Sequence, residues 1–342
     1  MNINLERMYN EVKKHIEGVN FSQLWTNFKP LKFALYTDKE CFFDGKYVEK
    51  TDEFLGNTSI KYNGEIIAIW NVMENTDSII LSSKIIHEMF HGFQMQNNET
   101  RFPNELHALY NYKYDDANLS IKTLENQMIK ELADEFSFDT FEKLLRFRRY
   151  RYEKFNYEYH YEACIEQIEG TANYVELKAL EQLSGDLYLQ KLMQLKNRII
   201  EASNLLPVRI ISYDIGALLL LIINKNGIEY DDGFNEAPFS EDIIKNIDVS
   251  ECEFELVMSD KINAYYSNAQ KIIEEAKAKN DLVTKDPCEL LGVNVYNAVY
   301  FNNFIISRYC VMYSDDEGQK VEYGDFLIET HEYMKVSKIY RI

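Results

Sequence analysis

Cysteine is scarce in this chain and poorly placed for cross-linking. The five residues, Cys41, Cys164, Cys252, Cys288 and Cys310, are odd in number, widely scattered and never arranged as CxxC. This argues against a disulfide framework or a thiolate metal site and fits a reducing cytoplasm. Long apolar runs are missing as well. The longest, Ile215 to Ile223 in IGALLLLIINKNG, is about half of what a membrane span needs, so a buried helix is expected there and no membrane partner. The opening residues, MNINLERMYNEVKKHIEGV, hold no continuous apolar segment of the kind a secretory signal requires. Positive charge is in deficit: 37 Lys and Arg face 56 Asp and Glu, and the formal net charge of −19 opposes approach to a polyanion. No nucleic-acid partner is expected. A Gly-rich phosphate loop, a GxSxG elbow and a paired Cys/His nucleophile do not stand out either.

What is present suffices for a folded protein, because 46% apolar and 14% aromatic residues in 342 can fill a substantial core. Residues 4–19 carry Leu5, Met8, Tyr9, Val12 and Ile16 at helical spacing. From Leu31 to Met73 the pattern shortens into strands, with Asp44-Gly45 and Asn63-Gly64 at hairpin positions, which predicts a small antiparallel sheet. Thr76, Asp77 or Ser78 then offers a helix N-cap. Between Asn104 and Gly185 the pattern is almost entirely helical and free of proline, with Ser184-Gly185 as a stop. Further helices are expected around 186–203, 208–225 and 255–279. After Pro287, β-branched and aromatic runs with an Asp-Glu-Gly turn predict a terminal antiparallel sheet. The layout is α+β, with expected units 1–80, 81–285 and 286–342.

The stretch SSKIIHEMFHGFQ, Ser82 to Gln94, sets two histidines four apart around a glutamate. On a helix His87 and His91 share a face and can aim ring nitrogens at one ion about 2 Å away. Glu88 stands beside them as a base able to take a proton from an attacking water. The extended HExxHxxGxxH form is absent, since Gln94 and Asn97 occupy its glycine and last histidine positions. A third ligand must come from elsewhere. In YEACIEQIEGTANYVELKAL, Tyr161 to Leu180, the polar residues Glu162, Glu166, Glu169, Asn173 and Glu176 fall on one helical stripe, opposite an apolar stripe of Cys164, Ile168, Ala172, Val175 and Ala179. Gly170 is costly inside a helix by roughly 1 kcal/mol, and a close approach by another helix would explain it. Glu169 is the first choice of ligand, Glu166 the second and His160 the third. Asn173, one turn after Glu169, is placed to hydrogen-bond the far nitrogen of a ligand histidine.

His87-Glu88-Met89-Phe90-His91 followed by Glu169-Gly170-Thr171-Ala172-Asn173-Tyr174 resembles the gluzincin group of zinc metallopeptidases, which pair HExxH with a later E-G-x-A-x-Y helix. The resemblance covers roughly residues 76–225. It implies a zincin-like helical core in which His87, His91 and Glu169 hold one Zn2+ ion, Glu88 activates water and Asn173 matches the acid that steadies a ligand histidine in thermolysin-like enzymes. The long separation of His91 from Glu169 then implies a helical insertion, and asparagine stands where that acid is usual. By the same likeness Tyr213, in SYDIGALLL, is a candidate oxyanion donor, and Glu65 to Met73 is an edge strand on which an extended peptide could pair by strand addition.

The resemblance thus implies a zinc-dependent peptidase acting on a peptide or protein substrate. The alternative is a non-catalytic binding or regulatory protein that keeps a zincin-like fold. RFRRYRYEK, Arg146 to Lys154, is expected to be a solvated helix face with one arginine available for a substrate carboxylate. His15, His107 and His331 are expected to be structural. The sequence leaves the oligomeric state undetermined.

Overall fold

Two tight turns build the first sheet. In this computed structural model, which describes residues 4–73, 76–234, 237–249, 251–284 and 287–342, Asp44-Gly45 and Asn63-Gly64 both take left-handed backbone at consecutive positions. That is the geometry of a two-residue hairpin loop. The hairpins join β2 (Cys41–Phe43) to β3 (Lys46–Val48) and β4 (Thr58–Tyr62) to β5 (Glu65–Asn71), beside β1 (Lys32–Tyr36). The strand order is β3-β2-β1-β5-β4.

The sheet is mixed rather than antiparallel, because β1 and β5 pair in parallel from Lys32↔Ile67 to Tyr36↔Asn71. Composition explains the placement. In β5, Ile67, Ala68 and Ile69 are buried in succession, as an interior strand requires, whereas β4 buries little beyond Ser59. The edge strand is therefore β4, and Glu65 to Met73 is not at the edge.

Helix α1 (Leu5–Glu17) buries its five periodic apolar residues. Helix α2 (Ser78–Gln96) carries the two histidines and is N-capped by Asp77, whose carboxylate accepts from the amides of Ile79 and Ile80. It lies on the sheet at Gly92, where a Cβ would come within 2.4 Å of Leu31 Cδ1 and 2.8 Å of Ser59 Oγ. Ser59 of β4 also donates to the carbonyl oxygen of Glu88 at 2.6 Å, tying the edge strand to the histidine helix.

The helical region follows with α3 (Glu105–Asn111), α4 (Asp116–Asp134), α5 (Phe138–Lys154), α6 (Asn156–Ile165), α7 (Thr171–Leu183), α8 (Gly185–Ile199), α9 (Arg209–Lys225), α10 (Phe239–Asp242) and α11 (Ser259–Lys279). Ser184 ends α7 and caps α8. The main apolar core runs from Leu5 to Met258, joining α1, α2, one face of the sheet and α4 to α10, whereas α11 buries Ala269, Ile273 and Ala276 against the C-terminal strands. Strands β6 (Leu282–Thr284), β7 (Cys288–Val293), β8 (Val299–Phe301), β9 (Phe304–Ser307), β10 (Cys310–Asp315), β11 (Gly318–Tyr323), β12 (Phe326–Glu332) and β13 (Lys335–Arg341) form a second, antiparallel sheet. The fold is α+β. The expected boundary at residue 286 lies outside the described residues. Among the described residues no helix is long and apolar enough to cross a membrane.

The arginines of α5 are not all solvated. Arg148 and Arg151, one turn apart, are fully buried together with Lys122. Arg151 pairs with Glu125 at 2.9 Å and Glu162 at 2.6 Å, Arg148 with Glu166 at 2.6 Å, and Lys122 with Glu162 at 2.5 Å. Neither arginine is available to a substrate. A buried cation without a partner is prohibitive, so these side chains reach inward to the carboxylates of α4 and α6.

Candidate metal centre

The elements α6 and α7 form one continuous helix interrupted by a π turn, Glu166–Gly170, in which the Thr171 amide donates to the Glu166 carbonyl. The widened turn is a local insertion of the kind that re-aims side chains. It falls at the expected third ligand. Gly170 is explained as anticipated: a Cβ there would lie 2.7 Å from Gly216 Cα, and one on Gly216 would lie 2.8 Å from the Glu166 carbonyl oxygen. Two glycines thus let α9 touch the π turn, bringing Arg209 and Tyr213 to the same cleft as Glu169.

Three donor atoms converge there. His87 Nε2 and His91 Nε2 are 3.0 Å apart, and Glu169 Oε2 stands 3.8 Å and 3.5 Å from them. A tetrahedral ion with bonds of about 2.0–2.1 Å sets its donors roughly 3.3–3.4 Å apart. The His-His-Glu group fits a metal ion, and its chemistry suits zinc without being specific to it. Glu166 is not a candidate, since its carboxylate faces Arg148 and Ser240. His160 is directed to Glu241 and Cys164.

The far nitrogens of the histidines differ in support. His91 Nδ1 donates to Gln94 Oε1 at 2.8 Å, while Gln94 Nε2 donates to the Ile168 carbonyl at 2.9 Å and to Thr171 Oγ1 at 3.1 Å. The amide orientation is fixed by those two acceptors, so Nδ1 keeps its proton when His91 is neutral, and it is then Nε2 that carries the lone pair facing the site. His87 Nδ1 is buried without a hydrogen bond and faces Glu176 Oε2 at 3.7 Å. Glu176, and not Asn173, occupies the position opposite that nitrogen. Both residues follow the π turn on the same helix, and of the two it is Glu176 whose carboxylate reaches the ring. The expected stripe therefore splits: Glu162 and Glu166 point into the buried ion cluster, Glu169 and Glu176 to the histidines.

Burial and mutual charge shape the ionisation of the group. Burial, reinforced by His91, pushes His87 down to about 4. Burial also disfavours the His91 imidazolium, but the hydrogen bond and charge of Glu169 outweigh it and hold His91 at about 9. The Glu169 carboxyl, raised by burial but lowered more by His91, stands at about 2. Burial lifts the Glu88 carboxyl to about 7, in the range where a carboxylate can both take and return a proton near neutrality.

The cleft over these atoms is roughly 540 Å³ and is lined by Asn57 and Thr58 at the β4 edge, by Trp70 of β5, and by Phe102, Tyr213 and Tyr296. Arg209 spans it. Its Nε donates to Glu105 at 2.8 Å, its Nη2 approaches Glu169 at 3.8 Å, and its Nη1 donates to the Tyr213 hydroxyl oxygen. The guanidinium also lies 4.5 Å from the ring centre of Tyr296, in the loop between β7 and β8. The C-terminal sheet therefore supplies part of the cleft wall.

Compared with known proteins, the chain matches no family model, no curated protein and no solved structure. The site rests on its own geometry. Sequence reasoning located His87, Glu88, His91, Glu169 and Tyr213 in one cleft, and it passed over Gln94, Arg209 and Tyr296. Gln94 had a usable signal, a polar residue three after His91 between Phe93 and Met95. Arg209 had a weaker one, four residues before Tyr213. Tyr296 had none.

Proposed function

We propose that the protein is a zinc-dependent peptidase of gluzincin type, with His87, His91 and Glu169 as ligands and peptide or protein chains as substrate. The single observation that carries this reading is the convergence of the three donors beside a buried glutamate, at the floor of a cleft open to an edge strand. Zinc bound there would supply a Lewis acid for the scissile carbonyl and make water more acidic.

The remaining roles belong to the chain. Glu88, inside the cleft, takes the proton of the attacking water and returns it to the leaving amine nitrogen. Tyr213 accepts from Arg209 through its oxygen, which leaves its own O–H to donate to the carbonyl oxygen as negative charge grows there. Gln94 holds His91 in its ligating tautomer. An extended peptide adds to β4, whose outer side has no strand partner among the described residues. The scatter of the cysteines supports a cytoplasmic location.

A binding module with the same metal needs no general base, so Glu88 separates the two. Glu88→Gln is expected to lower peptide hydrolysis by roughly 10²–10⁴-fold while metal content, read by mass spectrometry, stays at the wild-type ratio. A zinc-loaded wild type that cleaves no member of a broad peptide library would sink the reading, as would full activity in the glutamine variant.

A further inference from the structure

The C-terminal sheet has an open edge. β11 pairs with β10 on one side, from Cys310↔Tyr323 to Asp315↔Gly318, and its other side has no strand partner among the described residues. The loop Asp316-Glu317 closes on the Asp315–Gly318 pair, and past the far end of the ladder Gly324 donates to the Tyr309 carbonyl at 3.0 Å. Hydrogen-bonded pairs alternate along an antiparallel ladder, so Gly318, Lys320 and Glu322 exchange bonds with β10. The N–H and C=O groups of Gln319, Val321 and Tyr323 therefore point outward. The Tyr323 carbonyl meets Arg341 Nη1 at 3.4 Å, which leaves its second lone pair free. Neither a proline nor a bulge interrupts β11, although such devices commonly protect an edge.

We propose that β11 is a self-association surface whose occupant is β11 of a second copy of this chain, antiparallel about a two-fold axis at Val321. In this register Val321 faces Val321 and Gln319 faces Tyr323, so the outward backbone groups of both copies are matched. Lys320 of each copy then stands opposite Glu322 of the other, twice, in the non-hydrogen-bonded pairs where side chains are closest. Moving the axis to Gln319 sets Lys320 opposite Gly318, and moving it to Tyr323 sets Glu322 opposite Gly324. Either shift loses both ion pairs, so the charges select one register.

The other face of the sheet gains as well. Met312 lies across β10 and β11 from Val321, the two are 42% and 47% exposed, and Tyr323 is 74% exposed. A second copy joins the methionines and valines into one apolar band and withdraws them from water. Within its own hairpin Lys320 bridges Asp315 and Glu317, and Glu322 bridges Arg341, which holds both side chains at the edge, where they remain partly exposed. The net charge of −19 opposes the approach of two copies at long range. Physiological salt screens it beyond about 8 Å, whereas paired strands lie about 4.8 Å apart.

Sedimentation velocity on the full-length chain at physiological salt is expected to show a monomer–dimer equilibrium, with dimer dominant by roughly 100 µM. Val321→Pro removes the outward donor at the axis, a change that an edge strand tolerates, and should weaken association at least about tenfold with unchanged far-ultraviolet circular dichroism. Lys320→Glu and Glu322→Lys each set like charges opposite one another twice and should weaken it about tenfold. The double exchange restores opposite charges across the axis and should return association to within about threefold of wild type, although it breaks the same bridges inside each hairpin. A merely local role for these charges gives no such recovery. A chain that stays monomeric, a dimer that survives Val321→Pro, or a double variant no tighter than the single ones overturns the proposal.

Discussion

Two carboxylate clusters hang from the same helix and meet opposite surroundings. Glu162 and Glu166, before and at the start of the π turn, join Glu125 against Arg148, Arg151 and Lys122, three negative charges against three positive, all out of water. Glu169, inside the turn, and Glu176, beyond it, join Glu88 and Glu105 around the histidines, where the fixed cations are Arg209 and Lys191. The further positive charge there is the proton on His91, which Glu169 holds in place and a divalent ion would displace. The first cluster is balanced internally and has structural consequences. The second is balanced by something it can gain or lose, which is what a binding site requires.

Exchanging one carboxylate in each cluster should break that contrast most severely. Glu169→Gln is expected to lower zinc affinity by roughly 10³-fold or more, measured by chelator competition, with little change in the thermal midpoint of the metal-free protein. Glu166→Gln, three residues earlier, should do the reverse. It leaves Arg148 buried beside a neutral partner, which costs about 3–5 kcal/mol of stability, while zinc binds at the wild-type ratio. If zinc survives Glu169→Gln but not Glu166→Gln, the ligand assignment is wrong.

Acid should sharpen the comparison next. Burial pushes the Glu162 carboxyl up, but Arg151 and Lys122 outweigh burial and hold it at about 2, below its ordinary value of 4.5. A carboxyl lowered on folding contributes stability that is full above the unfolded value and is lost as pH falls through the folded one. Between about pH 4.5 and 2 the unfolded chain takes up the proton first. The wild type should therefore lose a stability advantage of up to about 3 kcal/mol over Glu162→Gln across that window. Denaturant midpoints at successive pH values check this, and a constant gap between the two proteins would exclude Glu162 as its source.

How much of this was legible in the sequence follows from how local each signal is. The hairpins were legible because Asp44-Gly45 and Asn63-Gly64 fix backbone torsions within two residues. The juxtaposition of His87 and His91 was legible because a four-residue spacing is a helical turn. Gly170 was legible as a close approach, although its partner, Gly216, was not named until the chain folded. The parallel pairing of β1 with β5 was not, since it depends on which hairpin settles against which side of β1. The π turn was not either. Helical spacing puts Asn173 and Glu176 on one stripe and does not tell which of them faces His87, which is Glu176. The burial of Arg148 and Arg151 depended on carboxylates from two other helices, which α5 alone does not reveal.

The smallest expected effect tests the link between the two halves of the metal site. Gln94 performs two tasks: its oxygen accepts from His91 on α2, and its nitrogen donates to Ile168 inside the π turn that presents Glu169. Gln94→Leu removes both and should lower zinc affinity by about 10–100-fold, the usual scale for losing a partner of a ligand histidine. Gln94→Glu separates them. An ionised glutamate still accepts from His91 Nδ1 and keeps the tautomer, but it turns a negative oxygen toward the Ile168 carbonyl. Its affinity loss should be smaller than that of the leucine variant and its stability loss larger. Chelator competition and thermal midpoints on the same preparations give both quantities. Wild-type affinity in Gln94→Leu would mean that the contact with His91 merely accompanies the site. Equal affinity losses in the two variants would mean that the π-turn contact, rather than the histidine tautomer, is what the metal senses.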